Sequence, residues 1–191
     1  MKNLRFYAIA ACAASLGARH AHRSGQSGTV HEYAIPDDGK SNYKAFPVGI
    51  TNGPDGAMWF TERGWGQLGR ITTDGTITGQ FSLQVSADDP ARFPQIVTTG
   101  PDGNLWTTCG STRTYVEESH GAPDEYGSVR QVSPLGVVLK VVPLPTNNSD
   151  PRSITTGPDG NLWFAERRGA IGQLTTGGTL LNEFPLQNGN A

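Results

Sequence analysis

Cysteine is almost absent from this sequence. Only Cys12 and Cys109 occur, and Cys12 falls in a leader-like segment. A single remaining cysteine supports neither a disulfide framework nor a cysteine-based zinc site. A basic block is also missing, and the formal net charge is only −2. This balance argues against an electrostatic nucleic-acid binder, so we expect no nucleic-acid partner.

Long apolar runs and helical periodicity are missing as well. The apolar stretch 6–18 is too short to span a bilayer, and no later segment offers a membrane span. Apolar residues do not recur at the 3.6-residue spacing that a helical solenoid needs. The sequence also contains no Ser-His-Asp pattern, no phosphate-binding glycine loop and no His-x-x-x-His metal pair.

The N-terminus has the features of an export signal. Lys2 and Arg5 precede the alanine-rich run 6–18, an arrangement typical of a signal peptide. We therefore predict a leader and polar linker over 1–27 and export of the chain to the periplasm or beyond the cell. An uncleaved N-terminus is the alternative, and a leader without function would leave the chain in the cytoplasm.

Glycine and proline, by contrast, are plentiful, with 25 and 13 copies that recur at fixed places. A Gly-Pro-Asp-Gly turn followed by an apolar, aromatic run occurs three times, at 53–62, 100–108 and 157–166. Proline presets φ, aspartate caps the turn and the second glycine takes the left-handed position. Such a recurrence indicates a structural repeat.

Each repeat contains four short strands separated by turns, the pattern of a β-propeller blade. Within a partial propeller over 28–191, the blades are predicted at 47–84, 94–145 and 151–186. The segment 28–36 matches the fourth strand of each unit, and an insertion, 109–127, interrupts the second blade. The fold class is therefore all-β, with three full four-stranded antiparallel blades plus one extra strand. Because propellers usually have four to eight blades, we expect either the N-terminal part of a longer propeller or self-association that closes the ring.

The meander places the start of each first strand beside the end of each second strand, on one rim near the central channel. The rim positions are 46–49, Glu62, 93–95, Thr108, 150–153 and Glu166. The 109–127 insertion overhangs this rim. The tryptophans recur at one blade position, so packing between blades explains them better than ligand stacking does.

Asp150 and Glu166 belong to one blade and are candidate oxygen ligands for a hard cation such as Mg²⁺. Arg152 lies beside them and can hold an anionic or carbonyl oxygen. In the alternative, Asp150 starts a turn and Glu166 forms a solvated ion pair with Arg152 or Arg167. Residue chemistry alone favours this alternative.

Other rim residues are candidates for contacts with a small-molecule or cyclic peptide ligand. We predict Arg152, Gln95 and Glu62 as substrate-binding residues. His120 lies in the insertion with Glu117 and Glu118 nearby, and is a candidate general base. An ordinary surface-loop histidine is the alternative for His120, and Arg152 is the other candidate catalytic residue.

The repeat Pro-x-x-Ile-Thr-x-Gly-Pro-Asp-Gly-x-Leu-Trp-Phe-x-Glu, followed by Ile-Gly-x-Leu/Ile-Thr and Gly-Thr-x-x-x-Phe-x-Leu, closely resembles that of the streptogramin B lyases (virginiamycin B lyases). The resemblance covers roughly 28–186. It implies a seven-bladed propeller that confers antibiotic resistance by opening the ester of cyclic streptogramin B antibiotics through Mg²⁺-dependent elimination. It also implies a catalytic histidine just after the proline of a first strand, and magnesium-binding glutamates just before such a proline and at the end of a second strand.

This sequence departs from the family pattern at the catalytic position. The residues that follow the three prolines are Val48, Gln95 and Arg152, so none is histidine. Asp150 and Glu166 match the metal-ligand positions. The sequence therefore predicts a lyase-like protein whose site is incomplete in this chain. A non-catalytic ligand- or protein-binding propeller and a lactone-type hydrolase are the alternatives.

Overall fold

The computed structural model describes a large part of the chain, and the following applies to those residues. They are 29–37, 39, 44–87, 89, 93–110, 127–146, 149–167 and 169–186. The predicted leader over 1–27 and the candidate residues Glu117, Glu118 and His120 lie outside them. No helix in the described part is long and apolar enough to cross a membrane.

Twelve strands form three four-stranded antiparallel sheets, and strands that follow each other in sequence are neighbours in each sheet. Blade 1 consists of β1 (Pro47–Asn52), β2 (Met58–Glu62), β3 (Gln67–Ile71) and β4 (Ile77–Ser82). Blade 2 consists of β5 (Phe93–Thr99), β6 (Leu105–Gly110), β7 (Ser128–Val132) and β8 (Val138–Pro143). Blade 3 consists of β9 (Pro151–Thr156), β10 (Leu162–Glu166), β11 (Ala170–Leu174) and β12 (Leu180–Pro185). The predicted all-β propeller blades are thereby confirmed.

The repeated turn does more than reverse the chain. Its second glycine is left-handed in every blade, with φ of 79°, 73° and 73° at Gly56, Gly103 and Gly160. Its aspartate accepts a hydrogen bond from the indole Nε1 of the tryptophan four residues later, at 3.1, 3.1 and 3.0 Å in blades 1, 2 and 3. The turn therefore fixes the orientation of the large apolar anchor on the second strand.

Apolar side chains from adjacent blades interlock. One cluster joins blade 1 to blade 2 through Trp59 and Leu68 on one side and Leu105 and Val132 on the other. A second cluster joins blade 2 to blade 3 in the same way. The first strands β1, β5 and β9 also contact each other in sequence, which places them on the inner side of the array. Burial of these side chains between blades supplies most of the core.

The segment predicted as an extra strand belongs to none of the three sheets. Residues 29–37 instead lie beside blade 1, where Gln80 Nε2 donates to the Pro36 carbonyl at 3.2 Å. The ring of Tyr33 covers Gly75, leaving no room there for a Cβ. In blade 1 the ring of Phe81 covers Gly136 of blade 2 in the same manner. The segment thus occupies the place of the outer strand of a preceding blade without a partner strand to form a ladder.

Blade 2 departs from the repeat in its interior. In blades 1 and 3 a phenylalanine, Phe60 or Phe164, lies over a glycine of the third strand. Blade 2 has Thr107 in place of the phenylalanine and Arg130 in place of the glycine. The smaller threonine leaves the space that the arginine side chain fills.

Arg130 is fully buried and is bound on several sides. Its guanidinium forms a two-pronged ion pair with Asp89, with N–O distances of 2.7 and 2.6 Å, and it also donates to the Leu83 carbonyl and to Ser128 Oγ. Leu83 and Asp89 precede β5, so the arginine ties the third strand of blade 2 to the connection from blade 1. We call this arrangement the Arg130–Asp89 clasp.

Candidate functional site

The predicted rim is confirmed by strand register. Pro47 lies opposite Glu62, Pro94 opposite Cys109 and Pro151 opposite Glu166. The residue of blade 2 that corresponds to the two glutamates is therefore Cys109 rather than the predicted Thr108. A simple count from the repeated glycine gives the same result, because Glu62, Cys109 and Glu166 each stand nine residues after it.

A polar cluster joins two blades on this rim. Arg152, the second residue of β9, donates from Nε and Nη2 to Asp150 Oδ2 at 3.1 and 2.7 Å. Its Nη1 donates to Gln95 Oε1 of β5 at 3.3 Å. We call Gln95, Asp150 and Arg152 the rim cluster. Arg152 keeps about a third of its side-chain surface accessible, so its guanidinium can still reach a ligand.

Asp150 is held in an uncommon backbone conformation. Its φ is 42°, in the left-handed region that non-glycine residues rarely adopt, and Pro151 follows it. The Asp150 carbonyl accepts a hydrogen bond from Arg167 N at 3.2 Å, just beyond the end of β10. Arg167 Nη1 also lies 3.6 Å from Asp150 Oδ2. Contacts between the residue before β9 and the residue after β10 therefore fix the carboxylate that orients Arg152.

Gln95 presents a donor that the described residues leave unused. The side chain is only 3% exposed, yet its Nε2 has no hydrogen-bond partner among the described residues. An unsatisfied buried donor is costly, roughly 1–3 kcal/mol. Because Oε1 of the same amide accepts from Arg152, this unused donor adjoins the exposed guanidinium. Arg152 is therefore the member of the cluster that an external carbonyl or carboxylate oxygen can reach.

Glu62, the third predicted substrate-binding residue, does not join this cluster. Its side chain is completely buried, and Gln80 Nε2 donates to Oε1 and Oε2 at 3.1 and 3.3 Å. The carboxylate lies over Gly69 of β3, along its own blade. Glu62 is therefore inaccessible to a ligand, because the end of the second strand turns this side chain into the blade.

Glu166 also points along its own blade, but it meets a second acid. Glu183 takes the place that Gln80 has in blade 1, and it accepts from Thr146 Oγ1 at 2.9 Å. No described donor reaches either oxygen of Glu166. Burial, followed by the negative charge of Glu183 and a shared hydrogen bond with it, raises the pKa of Glu166 to about 7.

The Glu166–Glu183 pair predicts a pH-dependent stability. The folded state binds the Glu166 proton more tightly than the unfolded chain, since the folded pKa is about 7 and the ordinary value is 4.5. Its contribution is therefore fully present below about pH 4.5 and is lost as the pH rises through about 7. Glu183→Gln restores the amide of blade 1, and we expect it to raise the unfolding free energy at pH 8 by about 1–2 kcal/mol, with little effect at pH 5.

Urea denaturation of both chains at pH 5 and pH 8 measures this difference. The reciprocal control, Gln80→Glu, builds the same acid pair in blade 1 and should introduce a loss of stability at pH 8. An equal effect of Glu183→Gln at both pH values would contradict the assignment of a shared proton to this pair.

Cys109 is not a nucleophile in this structure. The side chain is completely buried, and burial raises the pKa of its thiol to about 12. A thiol with so high a pKa is not ionised near neutrality, so it has little reactivity. Cys109 instead packs in the apolar cluster between blades 1 and 2.

The predicted magnesium ligands make different contacts. Asp150 Oδ2 accepts from the Arg152 guanidinium, whereas the Glu166 carboxyl lies against Glu183. In the part of the chain that the structure describes, no three histidine, cysteine or acidic side chains gather in a way that suits a metal ion. The Asp150 carboxylate is engaged by Arg152 and Glu166 faces Glu183, so the described residues alone do not bring Asp150 and Glu166 together as a magnesium site.

Four-stranded antiparallel blades that pack side by side, with their first strands in contact, define a segment of a β-propeller. The chain belongs to the virginiamycin B lyase family, whose family model matches residues 13–191. No curated protein matches this chain.

Two solved structures extend this finding. A streptogramin B lyase structure is 31% identical over 84% of this chain, with a TM-score of 0.61, and this chain covers 46% of it. A catalytically inactive virginiamycin B lyase from Staphylococcus aureus with quinupristin is 27% identical over 86% of this chain, which covers 62% of that protein, with a TM-score of 0.43. The chain thus spans roughly half the length of the lyase structures it matches.

Proposed function

We propose that this chain is a streptogramin B lyase-type protein that binds a cyclic depsipeptide at the channel rim and opens its ester by elimination. The rim cluster is the observation that carries this proposal. It presents the Arg152 guanidinium, held by Gln95 Oε1 and Asp150 Oδ2, on the rim of a lyase-family propeller. The family match supports the reaction class, and the rim cluster supports the place of binding.

In an ester elimination, a base removes the proton α to a carbonyl, a carbon–carbon double bond forms and the ester C–O bond breaks. The leaving group is a carboxylate, and no water is added. Negative charge develops on the carbonyl oxygen as the proton leaves, and preorganised donors stabilise this charge. Arg152 is suited to that oxygen, while Gln95 and Asp150 orient its guanidinium.

The described rim supplies the oxygen-binding half of this chemistry. The Asp150 carboxylate forms an ion pair with Arg152, and Glu62 is buried within its blade. His120 remains the sequence-predicted base, outside the described residues. No step of the proposed reaction passes through a magnesium ion.

Arg152→Ala tests the role of the rim cluster. A hydrogen bond to a charged group contributes about 1.5–3 kcal/mol, so we expect the affinity for a streptogramin B depsipeptide to fall by about 10- to 100-fold. Isothermal titration calorimetry with the whole chain measures this affinity. Arg70→Ala is the matched control. Arg70 pairs with Asp55 of the repeated turn, and this turn lies far from the rim cluster. Equal losses in both variants would refute binding at the rim.

A non-catalytic binding propeller is the second candidate. It is favoured by Arg152, which occupies the post-proline position where the family resemblance implies a catalytic histidine. Such a protein would bind the depsipeptide and leave it intact. A lactone-type hydrolase would instead release a product heavier by one water. The mass and ring state of the recovered ligand separate these functions.

A further inference from the structure

The guanidinium of Arg152 has hydrogen-bonding capacity that the rim cluster leaves unused. A guanidinium carries five N–H donors in a planar fork. Nε and Nη2 each donate to Asp150 Oδ2, and Nη1 donates to Gln95 Oε1. One N–H on each Nη atom therefore has no partner among the described residues. Arginine presents pairs of N–H groups to the two oxygens of one carboxylate.

Arg152 also remains accessible at a junction that has a described blade on each side. Its side chain is 35% exposed, whereas the side chain of Arg130 in the clasp is 1% exposed. Gln95 belongs to β5 of blade 2, and Arg152 belongs to β9 of blade 3. The accessible guanidinium is therefore a feature of the rim between two packed blades.

The charges around Arg152 favour an anion. Arg167 Nη1 lies 3.6 Å from Asp150 Oδ2, so two guanidinium groups face one carboxylate and positive charge is in excess. Glu166 turns along its own blade toward Glu183, and neither of its oxygens has a hydrogen-bond donor among the described residues. Because Asp150 is itself held by a backbone hydrogen bond from Arg167, the Arg152 fork is oriented before a ligand arrives, which lowers the cost of binding.

We infer that the rim cluster is a receptor for a carboxylate, and that the chain binds the linear acid released by ester opening more tightly than the closed ring. This inference rests on the proposed function, because ester opening creates that carboxylate. A neutral ester offers one carbonyl oxygen to Arg152, whereas the released carboxylate offers two oxygens and a full negative charge. Product that stays on Arg152 competes with fresh substrate, so this residue also limits turnover as product accumulates.

Two synthetic probes test this inference. One is a linear streptogramin B depsipeptide with a free carboxylate in place of the ester, and the other carries a carboxamide at the same position. Isothermal titration calorimetry with the whole chain measures both affinities. We expect the acid to bind about 10- to 100-fold more tightly than the amide, the usual effect of a charged hydrogen-bond partner.

Variants of two arginines assign the preference for the acid to the rim cluster. Arg152→Ala should bind acid and amide equally, whereas Arg152→Lys should keep part of the preference, because lysine retains the charge but lacks the planar fork. Arg70→Ala is the matched control and should keep the whole preference, since Arg70 pairs with Asp55 of the repeated turn. Circular dichroism confirms that each variant is folded.

Both probes are already open, so the measurement requires no turnover. Failure of the acid to bind, equal binding of acid and amide, or a preference that survives in Arg152→Ala would overturn the inference. A preference for the acid in a chain that leaves the cyclic antibiotic closed would uphold the carboxylate receptor and count against the proposed elimination alone. Ring opening without that preference would count against the receptor alone.

Discussion

Arg130→Ala is expected to destabilise the fold by about 3–5 kcal/mol, because it leaves the carboxylate of Asp89 buried without its cation. Arg130 is fully buried, and Asp89 is 5% exposed. For a chain of this size, the loss corresponds to a fall in Tm of roughly 6–20 °C. Differential scanning fluorimetry and urea denaturation measure it directly.

An exposed ion pair of the same residue types is the control. Arg70 and Asp55 lie 2.6 Å apart with side chains 24% and 21% exposed. Arg70→Ala is expected to cost no more than about 1 kcal/mol, because solvent screens such a pair. A loss in Arg130→Ala no greater than in Arg70→Ala would show that the clasp does not hold blade 2 to the connection from blade 1.

The internal repeat also suggests a repair of the clasp. Thr107→Phe, Arg130→Gly and Asp89→Asn together rebuild the phenylalanine-over-glycine packing of blades 1 and 3 and remove the buried charge. We expect this triple variant to recover about half or more of the stability lost in Arg130→Ala, since the three positions are in contact and their effects are coupled. No recovery would mean that surrounding residues, rather than these three, determine the packing of blade 2.

Trp106→Ala is expected to destabilise the chain by about 3–5 kcal/mol, the usual cost of removing a large, fully buried aromatic side chain. Trp106 has no exposed surface and packs against blade 3 in the second apolar cluster. Trp163 stands at the same blade position and makes the same indole hydrogen bond to its turn aspartate, but no other blade among the described residues packs against it.

Trp163→Ala is therefore a control, because Trp163 makes the same hydrogen bond to its turn but, within the described residues, stacks only on Phe184 of its own blade. We expect it to cost about 1–2 kcal/mol, measured by urea denaturation. Equal losses in Trp106→Ala and Trp163→Ala would assign the stabilisation to the turn and not to contacts between blades.

The internal repeat made most of the fold predictable from the sequence. Turn residues and alternating apolar positions are local signals, so the strands and blades were predicted close to their observed bounds. The extra strand was predicted to stand alone, and residues 29–37 form no ladder because they lack the neighbouring strand that a ladder requires. The repeat thus gave the correct place for this segment, whereas its strand pairing depends on the rest of the fold.

The candidate site was predictable only in part. The rim follows from the meander, and Arg152 and Gln95 were found because both follow the proline of a first strand. Their contact spans 57 residues and two blades, so no local pattern indicates it. Glu62 was wrongly predicted to face a ligand, because the sequence does not show that Gln80 holds its carboxylate inside the blade.

Two interior features had sequence signals that were missed. Thr107 and Arg130 interrupt the repeat at positions that hold phenylalanine and glycine in the other blades, and a paired departure of this kind indicates a local change of packing. Glu183 stands where blade 1 has Gln80, which brings a second acid beside Glu166 in blade 3. Strand register was needed to see either relation.

The reaction itself is tested most directly by mass spectrometry of a streptogramin B depsipeptide incubated with the whole chain, with and without Mg²⁺. We expect a linear product with the mass of the cyclic antibiotic, because elimination opens the ester without adding water, and we expect Arg152→Ala to form it more slowly. A product heavier by one water would contradict elimination. An antibiotic that remains cyclic at chain concentrations that bind it would contradict lyase activity and leave a binding propeller.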